Sequence, residues 1–174
     1  MASALDDPHV LRVFTGEVAN QCSYALRAFG DLEEAGSVPD TFAAIQAFLI
    51  ATANISKLLW GSKQTPTRAT ERAPLRRALS VGDESPLKLR QWRNYFEHYD
   101  ERIEKWARAD PARNYVDQNV GSIDEIAGPS PHSFMRNYDP TLHRLWLSGE
   151  CCDLMPMVAA VCQLRQRADR NVRG

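Results

Sequence analysis

The chain has 174 residues, 44% hydrophobic and 25% charged, with a formal net charge of −1. This length suits one domain with a real core, and the composition excludes disordered and fibrous classes. A near-neutral molecule is no electrostatic sleeve for nucleic acid, so any binding to phosphate has to come from a local patch.

The cysteines, Cys22, Cys151, Cys152 and Cys162, form no C-x-x-C pair, and the histidines, His9, His98, His132 and His143, are scattered. Neither a structural zinc site nor any cofactor is expected, and the thiols read as reduced and mostly buried inside a cell. The opening stretch MASALDDPHV lacks a basic region followed by an apolar run. No signal peptide is read there, and the cytoplasm is the default location.

Asp6, Asp7 and Pro8 have the order of a helix start, a capping carboxylate before proline. Leu11, Phe14, Val18, Cys22, Leu26 and Phe29 then repeat at spacings of three and four, one apolar stripe running to about Glu34. Gly36 and Pro39 punctuate, and Asp40 or Thr41 is the expected start of a second helix ending at Gly61. That helix is apolar almost all round, but Gln46, Thr52, Asn54, Ser56 and Lys57 interrupt it. It reads as the buried centre of a bundle rather than a membrane span.

Residues 62–84 form a looser segment with a short helix expected around Pro74 to Leu79. Between Lys57 and Arg90, eight basic residues (Lys57, Lys63, Arg68, Arg72, Arg76, Arg77, Lys88 and Arg90) face only Glu71, Asp83 and Glu84. The segment reads either as a solvated surface or as a phosphate-facing patch. Ser85 and Pro86 suggest the N-cap and first position of a third long helix, reaching about Ala109 before Asp110-Pro111 stops it. Beyond it, SFMRNY and HRLWL flank Asp139-Pro140 as a β-hairpin. Asp153 is placed to cap a last helix carrying Met157, Val161 and Leu164, with Arg165, Arg167 and Arg170 near its end.

The third helix carries the chemistry. Leu89, Trp92, Phe96, Tyr99, Ile103 and Trp106 recur at spacings of three and four, which predicts a core-facing stripe. At about 100° per residue, His98 lies well off that stripe, Arg93 and Arg102 lie on its two flanks, and Asn94 and Glu101 lie nearly opposite it. A lone histidine on such a face is ordinarily just solvated. Here it shares the face with arginine and asparagine and follows the basic segment. Imidazole exchanges a proton near neutral pH, and guanidinium neutralises phosphate without losing its own.

Arg93-Asn94-Tyr95-Phe96-Glu97-His98 resembles the R-x4-6-H motif of the HEPN superfamily, with the favoured polar residue directly after the arginine. The resemblance implies a mainly α helical bundle, with core helices over 7–109 and an appended hairpin and helix over 111–172 in one domain. It implies a metal-independent endoribonuclease, often a toxin, acting by attack of the RNA 2′-OH on the adjacent phosphate. Arg93 and His98 would be the catalytic pair, with Asn94 in support. Two copies would pair across a composite site, and toxin members imply an antitoxin partner. Arg68, Arg72, Arg76, Arg77 and Arg102 are the candidates for holding substrate. Members controlled by a nucleotidyltransferase often carry tyrosine two residues after the histidine; Asp100 stands there, so that control is not expected. The other reading is a HEPN-like bundle that binds a nucleotide, nucleic acid or partner protein without cleaving it.

Overall fold

The structure is a computed structural model in which residues 3–62, 65–109, 114–126, 128 and 133–173 are described. It is mainly helical, with a small mixed sheet. Helix α1 (Pro8–Glu33) starts as the sequence predicts: Asp7 accepts from the backbone N–H groups of His9 and Val10, and Pro8 occupies the first turn. Val18 and Cys22 of the predicted stripe are buried, while Ala19, Ala25 and Ala28 share the seam. Those small side chains let α1 lie close against α2 (Val38–Trp60), its principal partner. Helix α2 begins earlier than predicted, because Ser37 accepts from the N–H of Asp40 and Pro39 fits the first turn. Gly61 closes it at φ +85°, a conformation that favours glycine. It is long and apolar enough to cross a membrane, yet it is mostly buried, with Phe48, Ile55 and Leu59 fully enclosed.

The looser segment holds two short helices, α3 (Pro66–Glu71) and α4 (Ala73–Ala78). Only α4 was signalled by the sequence.

The long third helix does not form. Ser85 caps a 3₁₀ turn (Pro86–Lys88) instead, and Leu89 is extended. Helix α5 spans Gln91–Glu97 and α6 spans Tyr99–Ala109, with His98 between them at φ −111°, ψ 40°. The causes are tertiary. Ser56 Oγ on α2 donates to the Lys88 carbonyl at 3.0 Å and pins that segment outside the helix. Beyond His98, α6 buries none of its residues, and its Tyr99 ring lies 4.3 Å from the Arg136 guanidinium. The predicted stripe is corrected accordingly: Trp92 and Tyr95 are buried, whereas Leu89 is 52% and Ile103 37% exposed. The expected stop at Asp110-Pro111 lies outside the described residues.

The hairpin is present, as β2 (Arg136–Asp139) and β3 (Arg144–Leu147), paired antiparallel from Arg136 opposite Leu147 to Asp139 opposite Arg144. Asp139 Oδ1 accepts from Thr141 and Leu142 and shapes the turn. The sheet is larger than expected. Strand β4 (Glu150–Asp153) follows through the Ser148-Gly149 turn, both residues at positive φ, and β1 (Asn119–Val120) pairs parallel with β2. The order is β1-β2-β3-β4.

Asp153 accepts from Met155 and starts α7 (Met155–Arg173), which buries Met157, Val161 and Leu164 against α1. Its arginines do more than face the helix dipole. Arg165 reaches the carbonyl of Ala19, and Arg167 those of Leu79 and Ser80.

Candidate nucleic-acid site

The head of α5 forms the floor of a cationic hollow of about 480 Å³. Lys88, Arg90, Arg93 and Asn94 line it, with Ser62 on the far side. Arg90 donates to the Ser62 carbonyl at 2.8 Å, which fixes one wall. Burial first, and then the neighbouring Arg93 guanidinium, lowers the Arg90 pKa. Two guanidiniums held this close favour an anion between or beside them.

Arg93 is only 16% exposed and pairs with Glu97 one turn on, as the sequence spacing suggests. Its Nε is buried without a hydrogen bond among the described residues. The Arg93 hydrogen bond is the main reason the Glu97 carboxyl sits below its ordinary pKa.

His98 is 55% exposed, and its Nδ1 lies 3.2 Å from Glu101 Oε1. A carboxylate on Nδ1 favours the tautomer with its proton there and leaves Nε2 as the basic nitrogen. The His98 N–H still donates to the Asn94 carbonyl at 3.0 Å, the last helical backbone bond of α5. Arg93 and Asn94 line the hollow; His98 stands one turn beyond its lining residues.

The other arginines divide. Arg68, paired with Glu71 at 2.9 Å, and Arg77 are exposed. Arg76 turns inward and donates to the carbonyls of Leu59 and Ala69, at 2.7 and 2.8 Å, closing the end of α2. Arg72 lies over the Phe14 ring at 4.4 Å, and burial lowers its pKa. Arg102 covers the Tyr95 ring at 4.2 Å. Lys63 lies outside the described residues.

Sequence reasoning missed Glu101 as the partner of His98, although the three-residue spacing was available. It also missed Arg136, whose guanidinium meets Asp117 through two hydrogen bonds and lies 4.3 Å from the Tyr99 ring centre. No local pattern joins positions 99, 117 and 136. Among the described residues, no group of three His, Cys, Asp or Glu side chains is placed to hold a metal ion. The chain matches no protein-family model, no curated protein and no solved structure.

Proposed function

We propose that this chain is a HEPN-like, metal-independent endoribonuclease working as a two-fold homodimer. The observation that carries the reading is an exposed imidazole oriented by Glu101, one turn from a cationic hollow lined by Arg93 and Asn94. A base held by a third group is the arrangement that activates a hydroxyl nucleophile. His98 Nε2 takes the proton of the RNA 2′-OH, whose oxygen attacks the adjacent phosphorus. The bond to the 5′-oxygen breaks and that oxygen takes a proton, either the one on His98 or one from water, leaving a cyclic phosphate on one product and a hydroxyl on the other. Arg93 and Arg90 neutralise the charge gathering on the phosphoryl oxygens, and the exposed Arg68 and Arg77 hold the strand further out.

A second reading, RNA binding without cleavage, is favoured by a specific observation. Arg93 is only 16% exposed and already paired with Glu97, and α5 ends at Glu97, so His98 lies past the end of the helix that carries Arg93. One experiment separates them. Purified full-length chain is incubated with single-stranded RNA in the presence of a chelator, beside His98→Ala. Cleavage by the parent, lost in the variant while RNA affinity persists, supports the enzyme. Full cleavage by the variant sinks the assigned role of His98, and binding with no cleavage by a folded, dimeric parent establishes the second reading.

A further inference from the structure

A smaller pocket of about 140 Å³ opens on the other flank of α5 and α6, against the sheet. An engineered protein cavity of about 150 Å³ admits benzene, so the space suits a planar ring. Its floor is apolar: Met135 and the Tyr95 ring are buried. One wall is the Trp106 indole. Its N–H donates to the Asn114 carbonyl at 3.0 Å, and its ring meets Tyr115 edge-on at 4.7 Å. The indole is therefore held in place before any ligand arrives, as a stacking platform has to be. Arg102, whose guanidinium lies 4.2 Å from the Tyr95 ring centre, Lys105 and, from β4, Glu150 also line the pocket. The Glu150 carboxylate lies against the Tyr95 hydroxyl, which burial and then this contact push up to about 12.

These groups select among ring systems. A carboxylate only accepts hydrogen bonds. Guanine presents two adjacent donors, N1–H and the 2-amino group. Adenine places a ring nitrogen acceptor beside its amino group, and uracil flanks its one N–H with carbonyl oxygens; both set a lone pair against the carboxylate. We propose that this pocket binds a guanine base stacked on Trp106 and read by Glu150, with its phosphate held by Arg102 and Lys105. The proposal rests on the reading that the chain binds RNA and names the base it would select.

The test is calorimetric titration of the full chain with 5′-GMP, 5′-AMP and 5′-UMP. Parallel titrations use two single-stranded RNA oligomers differing by one G-to-A change. The expected result is a preference for guanine of about tenfold, abolished by Glu150→Gln at an unchanged melting temperature. Preference already present with GMP supports a nucleotide site; preference confined to the oligomer supports a strand site. The proposal is overturned if neither set distinguishes guanine, or if Glu150→Gln keeps the preference. GMP binding by a chain that cuts no RNA would remove the ribonuclease reading and leave the pocket standing. RNA cleavage without guanine preference would do the reverse.

Discussion

Asp117→Asn isolates the ion pair that ties the segment before β1 to β2 and holds a guanidinium against two helices. In the parent, Arg136 Nε donates to Asp117 Oδ1 at 2.8 Å and Nη2 to Oδ2 at 2.5 Å, with each side chain 17% exposed. The same guanidinium lies 4.3 Å from the Tyr99 ring centre and 5.7 Å from that of Phe42, so one side chain joins β2 to α6 and α2. An amide at position 117 leaves that guanidinium enclosed without a counter-charge. Breaking a buried pair costs about 3–5 kcal/mol, and the residual contact with water places this one at the low end, about 3 kcal/mol. At about 2–4 °C per kcal/mol for a domain of this size, the melting temperature falls by about 6–12 °C. Adding Arg136→Met removes the stranded charge and recovers most of the loss. The assay is urea unfolding followed by circular dichroism, arranged as a double-mutant cycle. A coupling energy below about 1 kcal/mol would refute the reasoning. The pH dependence gives a second check. Burial is the strongest influence on the Asp117 carboxyl and raises its pKa. The Arg136 hydrogen bond and the lesser contacts together outweigh burial and hold the pKa below its ordinary value. Such a group contributes stability that is complete above its unfolded pKa, near about 4, and lost as pH falls through the lower folded value. The gap between parent and Asp117→Asn should thus be full at neutral pH and close progressively in acid.

Arg76→Ala should cost about 1.5–3 kcal/mol, the range for charge-assisted hydrogen bonds, because it frees the carbonyls of Leu59 and Ala69; chemical denaturation measures it. Arg68→Glu with Arg77→Glu should shift stability by less than about 0.5 kcal/mol while weakening RNA binding and flattening its salt dependence. Unchanged binding at low salt would remove α3 and α4 from the interface. Phe96→Ala should destabilise by about 1–2 kcal/mol, short of the 3–5 kcal/mol expected at a fully buried aromatic, since Phe96 is only partly enclosed. Light scattering at tens of micromolar, roughly the weakest useful dimer affinity, should report a dimer; a monomer counts against the composite site.

The sequence was most informative where the physics is local. Asp7 and Asp153 cap α1 and α7 as their positions before a proline or an apolar stripe suggest. Asp139 makes the hairpin turn, and Glu97 finds Arg93 at the helical spacing. What escaped depends on distant partners. The pattern from Leu89 to Trp106 is as periodic as a single helix requires, yet Ser56 holds the Lys88 carbonyl and Arg136 draws Tyr99 to the sheet. Periodicity reports which side chains share a face, not which surface will cover them. Arg76 shows the same limit. Within its segment it is one more cation, and only the end of α2, seventeen residues back, gives it a different task.

The pairing of α1 with α7 also bears on how the molecule is made. Residues 155–168 complete the wall over Val18 and Cys22, and Arg165 satisfies a carbonyl 146 positions earlier. During synthesis, the first long helix therefore leaves the ribosome with one apolar flank bare. It waits about 6–27 s at ordinary elongation rates of roughly 5–20 residues per second for the segment that seals it. Until then α2 is its main cover, with α4 and the Arg72 side chain over Phe14 adding to it, so the α1–α2 hairpin has to persist as a partly formed body. Chaperone access to the nascent chain should be concentrated on that flank, and should end soon after residue 168 emerges.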